Sequence, residues 1–384
     1  MQINGSFEGR FDAVARAFER NFSERGEVGA SVCVYLRGRP VVDLWAGLAD
    51  REAGRAWTRE TMVMTSSTTK GFAATVAHLL VERGLLDLDA PVASYWPEFA
   101  ASGKQDVLVR WALSHRAGIP VLDHAPSLGD ILAWTPVVAA VTNQRPLWTP
   151  GSAHGYHVQT FGWIVGELVR RITGKTIGRL YADEIASRFG IDYWIGLPAE
   201  HRDRVATCYP PPPAVVSRWP ATMLRALGGW TTRQMNLPEV QEAEIPSSNG
   251  IGTAHAIARH YAALIGEVDG ARIVGPRTLA AACQVQSDGL DQVLGAPTRC
   301  GLGFALPPSL GVASGPRSFG HPGAGGSLGF ADPEAEVAFG YAPNQMSGVV
   351  VGDARAASLV EALYRGLQAE VPRRGSSIDE EKLP

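Results

Sequence analysis

Apolar residues recur at helical spacing from Phe11 to Phe22, and the chain then enters Gly29 to Leu36, an unbroken apolar run that reads as a buried strand. Arg37-Gly38-Arg39-Pro40 is turn chemistry, and Val41 to Gly47 follows as a second strand, so an N-terminal helix leads into an antiparallel hairpin. Near the other end, Gly326 to Ala331 and Val337 to Tyr341 read as strands around Asp332-Pro333-Glu334, with a closing helix from Ala354 to Gln368. The middle of the chain has a period of about 3.6 instead, over Lys70 to Arg83, Val107 to Ser114, Thr160 to Ile172 and Ala254 to Ile265. Gly84 and Gly174 stand where helix C-caps belong, and Pro146, Pro150 and the run Pro210 to Pro213 mark loops. This pattern predicts an α/β plus all-α fold: an antiparallel sheet built from both chain ends and flanked by helices, with a helical domain inserted. The expected boundaries are an α/β domain over 1–60 and 248–372, a helical domain over 61–247 and a flexible tail over 373–384.

Composition narrows the function classes. The chain has 384 residues, 45% apolar and 19% charged, enough for a substantial core and unlike a disordered or collagenous chain. Its net charge of −3 leaves no electrostatic footprint for a nucleic-acid backbone or an anionic membrane, so the expected partner is a small molecule. Cys33, Cys208, Cys283 and Cys300 form no CxxC pair and suggest neither a zinc ribbon nor a disulfide framework. No cationic start followed by an apolar stretch occurs, nor any run of about 20 apolar residues, which predicts a cytoplasmic protein. Only four of the 35 basic residues are lysine, at positions 70, 104, 175 and 382, so each lysine carries information.

Ser67-Thr68-Thr69-Lys70 opens a helix with an apolar face, placing Ser67 at its amino end and Lys70 just under one turn later on the same side. A hydroxyl becomes a useful nucleophile once a neighbouring base takes its proton, and a desolvated lysine amine is such a base. The helix amino end also offers a backbone N–H to a developing oxyanion. Alone the motif is weak, since a chance Ser-x-x-Lys is expected in roughly one such chain in four. Tyr156 precedes the helix from Thr160, and a phenol near a cationic lysine acquires a lowered pKa and general-base character. Its plainer reading is a packed aromatic with a bonded hydroxyl. His154 and His157 lack a third ligand at metal spacing, so no metal is expected.

The glycine-rich stretch Phe319 to Phe330 requires close backbone approach to another segment or a ligand. Within it, Gly325-Gly326-Ser327-Leu328-Gly329 satisfies G-x-S-x-G, but a nucleophile elbow needs a following helix and a later histidine, and none follows His321. The segment Asn249 to Ala254 reads as a turn with a threonine helix cap and completes no dinucleotide fingerprint, so no cofactor is expected. His78, His115, His124, His201, His255 and His260 read as structural or solvent-facing.

Taken together, Ser67-x-x-Lys70, Tyr156 and His321-Pro322-Gly323 resemble the serine β-lactamase superfamily, specifically the class C-like carboxylesterases called family VIII. Met64 to Gly71, Leu113 to Ile119, Trp148 to Gly151 and Gly320 to Ser327 carry the likeness, which covers roughly residues 8 to 370. The resemblance implies a β-lactamase/transpeptidase-like fold with the site in the cleft between its two parts. It implies that Ser67 is acylated, that Lys70 and Tyr156 share general-base work, and that the N–H groups of Ser67 and Ala324 form the oxyanion hole. His157, His321 and Gly323 occupy its substrate-facing positions. Two departures bear on substrate: Tyr156-His157-Val158 replaces Tyr-x-Asn, and His321-Pro322-Gly323 replaces Lys-Thr-Gly. Valine offers neither donor nor acceptor and histidine is mostly neutral at pH 7, so an anionic lactam or peptide end loses its usual partners. The resulting expectation is a serine hydrolase acting on small carboxylic esters. A transacylase passing the acyl group to an amine or alcohol is the alternative, and a weak β-lactamase or D-amino peptidase the next. Oligomeric state is left open.

Overall fold

The computed structural model describes residues 2–211 and 220–368. The expected loop residues Pro212 and Pro213 and the tail at 373–384 lie outside them. From the amino end come β1 (Asn4–Phe7), α1 (Asp12–Glu24), β2 (Gly29–Leu36) and β3 (Arg39–Asp50). The middle contributes α2 (Thr69–Glu82) and α3 (Thr160–Thr173) among shorter helices. The chain returns through α4 (Ala254–Ile265), β4 (Phe319–Pro322), β5 (Leu328–Asp332), β6 (Val337–Pro343) and α5 (Ala354–Gln368).

The strands join in the order β1-β3-β2-β6-β5-β4, each pair antiparallel, so β2 from the amino end lies beside β6 from the carboxyl end. Every residue of β2 is buried, which is why its sequence shows no alternation: a strand covered on both faces needs apolar groups on both. Val32 and Val34 cluster with Phe11, just before α1, with Val14 and Phe18 of α1 and with Leu359 and Leu363 of α5. Cys33 and Tyr35 face the opposite core, which α4 covers. There Gly329 and Gly340 admit the helix: a Cβ on Gly340 would stand 2.2 Å from the Ala254 carbonyl oxygen, and one on Gly329 would stand 2.6 Å from Ile257.

Several elements depart from the sequence reading. β3 continues past Gly47 to Asp50 because a further short strand, Arg55–Ala56, pairs with Leu48 and Asp50 there, beyond the reach of β1 and β2. β1 and β4 have no counterpart in that reading, each being only 4 residues long and too short for a period to register. The middle of the chain also holds a small sheet of Val63–Met64, Ile251–Gly252 and Tyr193–Trp194. Those strands are 2 residues each, and tertiary pairing alone defines them. No helix among the described residues is long and apolar enough to cross a membrane.

Candidate active site

Helix α2 is buried on every side from Thr69 to Leu80, as a helix apolar all round must be. Its approach is a tight 3₁₀ turn, Ser66–Thr68, in which Ser66 has φ +47°, a left-handed conformation uncommon for a side-chain-bearing residue. Thr69 holds that turn, donating its hydroxyl to the Ser66 carbonyl at 2.5 Å and accepting the Gly250 N–H at 2.8 Å. Such local strain, supported by surrounding bonds, is a mark of a working site. It presents Ser67 one turn before Lys70, whose Nζ lies 3.3 Å from Ser67 Oγ. Lys70 is fully buried and donates to the carbonyls of Val158 at 2.8 Å and Ser247 at 3.0 Å. Burial holds the Lys70 amine well below the usual lysine range. In its neutral form the amine would give both protons to those carbonyls and keep its lone pair for the Ser67 hydroxyl.

Tyr156 reaches this pair from the loop before α3, with Lys70 Nζ 4.8 Å from its ring centroid and its hydroxyl hydrogen-bonded to Ser67. The expected lowering of its pKa does not occur. Burial raises it, outweighing the Ser67 bond. Asp291 sets the tyrosine's backbone: its carboxylate accepts the N–H groups of Tyr156 at 3.1 Å, Val293 at 2.8 Å and Leu294 at 2.9 Å.

The ring of Tyr156 stands between two histidines, His115 at 5.0 Å and His321 at 6.0 Å. His321 lines the same cavity as Tyr156, and its Nδ1–H donates to the Pro322 carbonyl at 2.7 Å, leaving Nε2 as an acceptor. Burial, helped by Lys70, pushes its pKa down to about 3. His115, merely structural on the sequence reading, also lines the cavity. Its Nδ1 accepts the His157 N–H at 3.2 Å, so Nε2 carries the proton. It lies in the stretch Leu113 to Ile119 that carries the family resemblance, but residue type alone does not show its contact with His157, 42 positions away.

His157 does not join the cavity wall. It is fully buried, accepting the Ile119 N–H on Nε2 at 3.2 Å and donating Nδ1–H to Gly155 at 2.7 Å, and so it braces backbone. Gly323 is a close-approach position: a Cβ there would stand 2.1 Å from Ser327 Oγ and 2.3 Å from the Thr65 carbonyl oxygen. Ser327 donates to that same carbonyl at 2.6 Å and lies 3.1 Å from Thr68 Oγ1, joining the glycine loop to the turn that carries Ser67. Arg355 holds the other side of the loop, donating to the Gly325 carbonyl at 2.8 Å while paired with Glu27 and Asp353. Ala324 sits between these anchors. Among the described residues, neither its N–H nor that of Ser67 has a hydrogen-bond acceptor, so both donors are free for an oxyanion.

The cavity beside Tyr156 has a volume of about 480 Å³, within the range of small-molecule sites. Met223, Leu294, Pro297, Pro308, Val349 and Val350 make its walls apolar, and among the described lining residues none is Lys or Arg. A buried hydroxyl, an amine of depressed pKa beside it and a phenol bonded to it are parts that acyl transfer needs.

That order of parts matches a known family over nearly the whole chain: the family model described as Beta-lactamase matches residues 14–364. The chain belongs to the beta-lactamase family. Among relatives, it is 36% identical over 400 residues to the esterase/beta-lactamase LipL of Mycobacterium tuberculosis, covering 97% of this chain and 90% of LipL. The structure of a family VIII carboxylesterase superposes with a TM-score of 0.90 at 41% identity, covering 95% of this chain and 100% of that one. A penicillin-binding protein homologue from Caulobacter crescentus superposes at 0.87 with 36% identity, over 95% of this chain and 100% of its own. Within the beta-lactamase family, this chain thus has solved neighbours carrying both carboxylesterase and penicillin-binding names.

Proposed function

We propose that the protein hydrolyses small, uncharged carboxylic esters through an acyl-Ser67 intermediate. The observation that carries this reading is the Ser67–Lys70–Tyr156 contact beside an apolar cavity without a described cation. Neutral Lys70 takes the proton as Ser67 Oγ bonds to the ester carbonyl carbon, and the N–H groups of Ser67 and Ala324 receive the oxyanion. Tyr156 passes a proton to the departing alkoxide, after which water, deprotonated by the same network, releases the acid. The names borne by LipL and the family VIII neighbour agree with ester cleavage. Against a lactam stand Asp291, His321 without charge, and Val158, whose carbonyl serves Lys70 and whose side chain offers no polar atom.

Ester cleavage is therefore expected to exceed lactam cleavage. Each missing charge-assisted bond costs about 1.5–3 kcal/mol, roughly 10- to 150-fold in rate. The measurement is kcat/KM for p-nitrophenyl butyrate against nitrocefin, in wild type and His321→Lys, where the cation should shift the ratio toward nitrocefin. A wild-type preference for nitrocefin would overturn the substrate assignment. If Ser67 is acylated by the ester but free acid appears slowly, and added alcohols or amines speed release as new esters or amides, the transacylase reading replaces hydrolysis.

The pH profile tests the neutral amine. With the Lys70 pKa depressed, the base is active above that value and is lost as pH falls through it. kcat/KM for a neutral ester is expected to reach its plateau well below the ~10.4 of free lysine. Tyr156, raised by burial, adds no phenolate step in the same range. A rise centred at ordinary lysine values would show Lys70 to be an ammonium in the resting site.

A further inference from the structure

Away from the catalytic residues, three ligand-bearing side chains from three elements converge on the α4-covered side of the sheet. Cys33 of β2 and Asp43 of β3 are direct cross-strand partners, and His255 enters from the first turn of α4. One ligand atom from each lies within 4.8 Å of the other two. His255 Nδ1 is 3.7 Å from Cys33 Sγ and 3.2 Å from Asp43 Oδ2. Zinc–ligand bonds of about 2.3 Å to sulfur and 2.0–2.1 Å to nitrogen or oxygen make tetrahedral edges of about 3.6 Å for S···N and about 3.3 Å for N···O. The two edges to His255 Nδ1 match those values, and the third, between Cys33 and Asp43, lies within 4.8 Å.

His255 Nδ1 faces the Asp43 carboxylate, which only accepts, so the resting ring donates Nδ1–H there and its Nε2 accepts from the Tyr35 hydroxyl at 3.0 Å; a metal at Nδ1 would take the place of that proton, which moves to Nε2 and is donated to Tyr35, the outer-sphere arrangement usual for a metal-bound imidazole. The Asp43 carboxylate already holds a cation. Arg59 Nη2 stands 2.8 Å from Asp43 Oδ2 and 3.2 Å from His255 Nδ1. Its side chain is 49% exposed, against 15% for Asp43, so it enters from solvent and can leave the same way.

We propose that Cys33, Asp43 and His255 form a divalent-metal site of zinc type, for which the Arg59 guanidinium is the competing occupant. On binding, Arg59 swings outward, the Cys33 S–H proton passes to solvent, and the thiolate, carboxylate and Nδ1 take three positions of a tetrahedron. Water entering behind Arg59 takes the fourth. A thiolate and a carboxylate neutralise the 2+ charge, and no electron transfer is involved. The preference for zinc or cobalt over magnesium follows from the sulfur and imidazole donors.

Cobalt(II) added to the purified, reduced protein reports on this site, because tetrahedral cobalt with a thiolate ligand gives a near-ultraviolet charge-transfer band and visible d–d bands. One equivalent should saturate both in wild type. Arg59→Met, which removes the competitor without touching the core, should tighten binding roughly tenfold, the worth of one charge-assisted contact. Cys33→Ser should lose the charge-transfer band although Cys208, Cys283 and Cys300 remain, with circular dichroism checking its fold. No thiolate band in wild type and in Arg59→Met, or a band persisting in folded Cys33→Ser, overturns the proposal. If Cys33→Ser does not fold, unchanged or weakened binding in Arg59→Met does so on its own.

Discussion

Ser67→Ala is expected to lower p-nitrophenyl butyrate hydrolysis by ~10⁴ or more, the loss typical of a removed nucleophile. No other group among those described is placed to replace it. Lys70 and Tyr156 both address the Ser67 oxygen, and without that oxygen neither has an acceptor or donor for its proton. Retention of more than a tenth of the wild-type rate would remove Ser67 from the mechanism. Ser327→Ala is the matched control, since Ser327 lies in G-x-S-x-G yet is followed by β5 rather than by a helix. Its hydroxyl instead joins the glycine loop to Thr65 and Thr68. Loss of those bonds should lower stability by about 1–3 kcal/mol, read as a fall in Tm, while the folded enzyme keeps most of its turnover. A collapse in rate equal to that of Ser67→Ala would mean that Ser327 itself carries the acyl group.

Lys70→Ala and Tyr156→Phe should each cost ~10² to 10⁴ in kcat, the scale of a general base, and the double variant should fall little below the worse single one. The geometry gives the reason: a single hydroxyl lies between the amine and the phenol, so breaking either contact interrupts the same proton path. Losses that multiply would mean two independent contributions. Lys70→Ala also leaves the Val158 and Ser247 carbonyls without their donor, so thermal melting must accompany the kinetics to separate a lost base from a loosened fold.

Much of the site is legible in the residues themselves. Ser67 and Lys70 are neighbours because a helix puts them there, and α4 has the ends its period predicts because nine of its residues are buried in a regular repeat. The two substituted motif positions, Val158 and His321, are equally plain. Other features are not. His157 stands in a motif whose middle residue is expected to face substrate, yet its ring is spent on Ile119 and Gly155, a matter of loop course that residue type does not encode. His115 resembles any other histidine in the chain, and only the His157 N–H sets its tautomer.

Periodicity, spacing and residue identity suffice for the antiparallel sheet from both chain ends, for Ser67 one helical turn from Lys70, and for the loss of the lysine and asparagine that would grip an anionic substrate. The Ser67–Lys70 spacing is a local matter, whereas the sheet is inferred from strand patterns at both ends and the two missing groups from the family resemblance. The charge states, by contrast, follow from tertiary packing alone. The Lys70 pKa is depressed because α2 is buried on every side, and the amine donates to carbonyls 88 and 177 residues further along the chain. Burial raises the Tyr156 pKa, contrary to the lowering expected beside a lysine. Desolvation is a sum over everything packed around a group, and the packing brings those neighbours from parts of the chain that the spacing of Ser67 and Lys70 does not reach.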